Sequence, residues 1–236
     1  MLADSLQWGI AAGLGTLVGA VLIFIKRHWS PRGLAFFLGL AAGVMTAVVV
    51  FDMLPSALLF GQAGIALGGI ALGFMFMVTF DHLLGSRRSG SHSLLGLGYL
   101  ILLGIALHDL PEGMAIALGD VMKNRTGMVI ALGIGIHNIP EGMAIAVPLV
   151  MAGMNKPFIL VQVLLLSLIT PIGTLLGIYL IFLLPALMPL LLGLASGIMA
   201  YLVAFQLWPQ AKTHDLHSGR HGFWLGMIII LAATFV

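Results

Sequence analysis

Cysteine is absent from the 236-residue chain. That excludes disulfides, thiolate ligands and cysteine nucleophiles, and redox logic cannot assign a compartment. Charge is nearly as scarce: 8% of residues are Asp, Glu, Lys or Arg, against about 25% in soluble globular domains. With 61% hydrophobic residues, burial in a water-soluble core cannot account for the deficit, and the composition is that of an integral membrane protein without a soluble domain. A net charge of +2 gives no ground for nucleic-acid binding. The N-terminal stretch "MLADSLQWGIAAGLG" lacks a basic n-region, so it reads as a short outside tail and not a cleaved signal peptide. Glutamate is the scarcest acid: Glu112 and Glu141 are the two in the chain.

What is present is long apolar runs. A span takes about 20 such residues, and eight candidates lie at about 6–25, 33–54, 63–84, 94–119, 128–151, 158–183, 187–208 and 222–236. They predict an all-α polytopic membrane protein with one transmembrane domain over residues 1–236. The break between the sixth and seventh runs is read from Pro185 and Pro189 in "LPALMP". Lys26, Arg27, Arg32, Arg87, Arg88, Lys156, Lys212 and Arg220 fall in the odd-numbered connectors, whereas Lys123 and Arg125 fall on the other side. This bias places the odd loops in the cytoplasm and both termini outside. The 31 glycines, including those of "GIALGGIALGF" (64–74), let helices approach closely. They permit a homodimer without demanding one.

Two internal repeats organise the runs. "GIALHDLPEGMAIALG" (104–119) aligns with "GIGIHNIPEGMAIAVP" (133–148) on the fourth and fifth spans, which cross the membrane in opposite directions. "AAGVMTAVVVFDMLPSA" (41–57) aligns more loosely with "ASGIMAYLVAFQLWPQA" (195–211) on the second and seventh. Counted from the two ends, these pairings predict an inverted 3+2+3 repeat about a pseudo-twofold axis in the membrane plane. Transporters with binding sites at the midplane are often built this way.

The first repeat carries the chemistry. At 100° per residue His108 and Glu112 share a helix face, with Asp109 on the other side of Glu112; His137, Asn138 and Glu141 repeat the pattern. An acidic residue at mid-bilayer costs about 3 kcal/mol, so Asp52, Asp109, Glu112 and Glu141 would cost roughly 10 kcal/mol together. A divalent cation offsets that. Nitrogen and oxygen donors without thiolate suit Zn²⁺, and admit Fe²⁺, Mn²⁺ and Cd²⁺. Pro111 and Pro140 free the carbonyls of Leu107 and Ile136, and such broken backbone is tolerated where it lines a cavity.

On these motifs, "HDLPEG" and "HNIPEG" on consecutive spans, the chain resembles the ZIP family of divalent metal transporters over essentially its whole length. It is similar to small prokaryotic members of the GufA-like branch. The resemblance implies a binuclear centre of transported metal. His108, Glu112, His137 and Glu141 would surround one ion. Asp109, Asn138 and the two bridging glutamates would surround a second. Met45 matches a position near the first ion. The chain departs from the family pattern "E-x-x-P-E" on the second and seventh spans, where it has Asp52 with Ser56 and Gln206 with Gln210. Gln206 is thus a neutral and weaker ligand beside the second position.

The expectation is a multi-pass plasma (inner) membrane carrier importing a divalent metal, zinc foremost, with no catalytic cofactor. Uptake should weaken at acid pH, because binding needs neutral imidazoles and ionised carboxylates. Two other readings use the same residues. A proton- or cation-coupled carrier of a small solute would also employ intramembrane acids. An intramembrane metalloenzyme is disfavoured because no His-Glu-x-x-His run occurs. His214, Asp215, His217 and His221, together with Asp81, His82 and His92, read as solvated loop residues, and Asp120 as an interfacial charge at the outer mouth.

Overall fold

The computed structural model describes residues 2–26, 28–60, 63–83, 94–122, 126–180 and 183–235. Arg27, Arg87, Arg88, His92, Lys123 and Arg125, used above, lie outside the described residues. Every regular element among the described residues is helical. In order these are α1 (Leu2–Phe24), α2 (Pro31–Val48), a π-helical segment (Val49–Met53), α3 (Leu54–Phe60), α4 (Ala63–Leu83), α5 (Leu94–Met122) and α6 (Thr126–Met151). There follow α7 (Lys156–Ser167), α8 (Ile169–Tyr179), α9 (Leu184–Tyr201), a second π-helical segment (Leu202–Leu207) and α10 (Trp208–Phe235). Seven helical runs among the described residues are long and apolar enough to cross a membrane, so the chain is a polytopic membrane protein. The fourth and fifth spans are α5 and α6.

The sixth apolar run, read above as one helix over 158–183, is interrupted at Leu168, between α7 and α8. Pro171 has no N–H for the Ser167 carbonyl. Gly13 of α1 packs directly on that freed oxygen, where a Cβ would collide with it. The last run, Pro185–Ala233, is 49 residues long, about twice what a bilayer requires. Asp215 leaves the helix there, with φ −166° and ψ 103°. The Trp208 and Phe223 rings lie 5.3 Å apart, whereas a continuous helix would separate residues at this spacing by roughly 22 Å. The chain therefore folds back at Asp215, whose Oδ2 accepts a 3.0 Å bond from the Ser218 amide and another from the Ser218 hydroxyl. That is an N-cap, and it starts the final helix ahead of the expected residue 222.

The helices sort into two packed groups. In one, α1 lies on α6 and α8 on α5; in the other, α2 lies on the returning part of α10 and α4 on α9. Small residues make these approaches possible. A Cβ on Gly142 would collide with the Thr16 carbonyl, and one on Gly113 with the Thr170 carbonyl. Gly222 sits likewise on the Phe36 carbonyl and Gly69 on the Leu190 carbonyl. Thr16 and Thr170 are 154 residues apart, as are Phe36 and Leu190; Gly113 and Gly142 are 29 apart. Contacts in one half of the chain thus recur in the other.

The π-helical segments recur in the same register. Leu54 N–H bonds to the Val49 carbonyl and Trp208 N–H to the Val203 carbonyl, each widening the turn before a proline, Pro55 or Pro209. Lacking an N–H, the proline cannot continue the i→i−4 ladder, and one wide turn absorbs the misfit.

Candidate metal centre

α5 and α6 run antiparallel and bring their polar residues together in a crossed arrangement. His137 Nε2 lies 3.1 Å from Glu112 Oε2, and His108 Nε2 lies 3.4 Å from Glu141 Oε1, so each histidine meets the other helix's glutamate. Asp109 Oδ1 stands 3.5 Å from the same His108 nitrogen. His108, Asp109, Glu112, His137 and Glu141 are all buried. The pairs lie at two depths: Glu112 and His137 are one turn nearer the α5–α6 junction, with His108, Asp109 and Glu141 beyond them.

The tautomer of His108 is fixed locally. Its Nδ1 lies 2.9 Å from the Gly104 carbonyl. A carbonyl can only accept, so Nδ1 carries the proton and Nε2 presents a lone pair to Asp109 and Glu141. This is the outer hydrogen bond that orients ligating histidines. No hydrogen bond among the described residues satisfies His108 Nε2, either oxygen of Asp109, either oxygen of Glu141, or Glu112 Oε1. Buried acceptors left in this state cost free energy unless something cationic joins them. Ligand atoms of His108, Asp109 and Glu141 all fall within 4.8 Å of one another. Donors about 2.1 Å from a tetrahedral zinc are separated by roughly 3.4 Å, close to the spacings from His108 to its two carboxylates.

A cavity of about 230 Å³ opens beside the Glu112–His137 pair on the side of the α5–α6 junction. Asp52 and Ser56 of the α2–α3 span, Thr126 and Ile130 of α6, and Val48 line it, and Glu112 and His137 meet it at depth. His108, Asp109 and Glu141 do not line it. Asp52 is exposed and accepts a 3.4 Å bond from Ser56.

The remaining candidates are placed differently. Asn138 is fully buried, but its Nδ2 donates to the Ala12 carbonyl at 3.1 Å, which commits the amide nitrogen to α1. Met45 is buried on α2. Gln206 is buried, and its Nε2 donates to Asp81 Oδ2 at 3.1 Å. Asp81, His82, His214, His217 and His221, read above as loop residues, lie on helices, the first two on α4 and the others on α10, and Asp81 departs furthest from that reading. It is not in a solvated loop: it is 1% exposed on α4 and accepts from both Gln206 and the Tyr201 hydroxyl. Its position inside the apolar run 63–84 was the available signal. Asp120 accepts a 2.5 Å bond from Ser5, which joins α1 to the end of α5. His217 and His221 are exposed, with ring centroids 4.3 Å apart.

Comparison with known proteins agrees with this geometry. The family model described as "ZIP Zinc transporter" matches residues 85–235. The zinc transporter ZupT of Stenotrophomonas maltophilia (strain R551-3) is 34% identical over 187 residues, covering 71% of this chain and 70% of that protein. The zinc transporter ZupT of Escherichia coli O127:H6 (strain E2348/69 / EPEC) is 36% identical over 118 residues, covering 45% of this chain and 46% of that protein. The chain belongs to the ZIP family of zinc transporters.

Proposed function

We infer that this chain carries zinc inward across a plasma (inner) membrane, from the cavity at the α5–α6 junction to a centre on α5 and α6. The observation carrying the reading is the crossed pairing of His137 with Glu112 and His108 with Glu141, with buried acceptors that lack hydrogen-bond partners. The ion first meets Asp52 in the cavity, then Glu112 and His137, then His108, Asp109 and Glu141. Direction rests on the Lys/Arg bias, which puts the cavity mouth outside. His108, Glu112, His137 and Glu141 are the primary ligands. Asp109 completes the deeper position together with Asn138, and Met45 and Gln206, whose amide is bonded to Asp81, are the further ligands proposed from the flanking spans. Radiolabelled zinc uptake into proteoliposomes tests this: Glu112→Ala with Glu141→Ala should abolish uptake, and equal rates for the double variant and its parent would refute it.

The architecture that goes with this function is eight spans over residues 1–236, in an inverted 3+2+3 repeat with both termini outside. The fold-back at Asp215 supports dividing the 49-residue run into two spans. The contacts that recur 154 residues apart, Gly142 on Thr16 and Gly113 on Thr170, support the repeat.

A further inference from the structure

Asp81 is a buried acid on α4, outside the ligand set of the metal centre. Its Oδ2 accepts from the Tyr201 hydroxyl and, at 3.1 Å, from Gln206 Nε2. A carboxylate can only accept, so Gln206 has to turn its NH2 toward Asp81. The other end of the amide is then fixed as well. Gln206 Oε1 is buried, and no hydrogen bond among the described residues satisfies it. It is in the same state as both oxygens of Asp109 and of Glu141. A buried acceptor in that state costs free energy until a donor or a cation meets it.

The segment carrying Gln206 rests on the α5 turn that orients His108. A Cβ on Gly104 would lie 2.5 Å from Leu202 Cδ1, and the Gly104 carbonyl is the one that accepts from His108 Nδ1. The looser repeat puts Gln206 in register with Asp52, and the two need different support. A carboxylate offers oxygen whichever way its plane turns, and Asp52 has a bond from Ser56 of its own span. An amide offers oxygen at one end and N–H at the other, and the N–H end repels a cation. A neutral ligand at this place works when a neighbouring acceptor occupies its nitrogen.

We propose that Asp81 is a positioning residue for the metal centre: by accepting from the Gln206 nitrogen it leaves the Gln206 oxygen to the ion. This rests on the transport reading above, in which Gln206 is a ligand. Asp81 itself touches no metal. It does for Gln206 what the Gly104 carbonyl does for His108: an outer hydrogen bond decides which atom of a two-faced side chain is presented. The Tyr201 hydroxyl, bonded to the same Oδ2, holds the carboxylate in place.

Reversing the polarity of the pair tests this. Asp81→Asn keeps the shape and a hydrogen bond, but it can face Gln206 with either end, so the amide is no longer held one way round. Zinc uptake into proteoliposomes should show KM raised about tenfold, as when an outer-shell partner is lost, at an unchanged maximal rate. Asp81→Asn combined with Gln206→Glu swaps donor and acceptor. The new amide then donates to the new carboxylate, whose other oxygen is left to the ion, and KM should return to the parent's value or fall below it. A contact that served stability alone would leave KM unmoved in Asp81→Asn, or would restore melting in the double variant with KM still raised. Either result, in a parent that carries zinc, overturns the positioning role and leaves transport standing. If the parent carries no zinc, the transport reading fails and this role fails with it.

Discussion

The two π-helical segments, Val49–Met53 and Leu202–Leu207, share a pattern and end in opposite states. Each follows a Gly-x-Met run and precedes a proline, and each holds one polar residue at the same place. Asp52 faces a cavity beside Glu112 and His137; Gln206 is 1% exposed and tied to Asp81. Backbone geometry is therefore common to both, and the difference lies in a few side chains. Tyr201 for Ala47 and Gln206 for Asp52 provide one segment with two donors for a buried carboxylate and the other with none.

The strongest challenge to the comparison is to break its shared frame. Gly113→Val and Gly142→Val each drive a branched side chain into a carbonyl on the neighbouring helix, that of Thr170 or Thr16. Overpacking of this kind costs about 1–3 kcal/mol, and more where only backbone can give way. Both variants should melt far below the parent in detergent, by similar amounts. Tolerance of one and collapse of the other would mean the two halves are not built alike.

The next challenge targets the asymmetry. Tyr201→Phe removes a hydroxyl donated to a buried carboxylate, an interaction worth about 1.5–3 kcal/mol. Melting should fall accordingly, and oxidative cross-linking of Leu202→Cys with Gly104→Cys should slow as the packing of Leu202 on Gly104 loosens. Asp52→Asn alters the other segment. Its side chain is exposed in the cavity, so melting should hold while the KM for zinc rises several-fold. Equal stability losses in Tyr201→Phe and Asp52→Asn would erase the distinction between braced and open halves.

Much of this was readable from residues alone. The scarcity of charge and the apolar runs gave the membrane class, and the doubled His-x-x-Pro-Glu-Gly pattern indicated a polar cluster between consecutive spans. Helical spacing put His108 and Glu112 on one face but could not say that each histidine would pair across to the opposite glutamate. That depends on how α5 and α6 are rotated against each other, which Gly113 and Gly142 set through contacts with α8 and α1. Asp81 was misread because its partners, Tyr201 and Gln206, are more than a hundred residues away, beyond any local pattern. The interruption at Leu168 was hidden in an unbroken apolar run, where Pro171 was the one sign of it.

The smallest expected effect concerns the turn that follows the second π-helical segment. Asp215 caps the returning helix through the Ser218 amide and hydroxyl. Those bonds, the hydroxyl first, hold its carboxyl below the ordinary carboxylate value. A carboxyl depressed in the folded state contributes stability that is fully present above its unfolded pKa, about 3.9. The contribution is lost as pH falls through the lower folded value. Asp215→Ala should therefore lower the melting temperature slightly at neutral pH, and the gap from the parent should narrow below about pH 4. Asp215→Asn keeps an N-cap acceptor and should retain most of the stability without that acid dependence. Asp215 does not line the cavity beside Glu112 and His137, so zinc KM should be unchanged in both. A KM shift as large as that of Asp52→Asn would instead place the fold-back on the ion's route, and the contrast between the segments would extend beyond Gln206 to the turn itself.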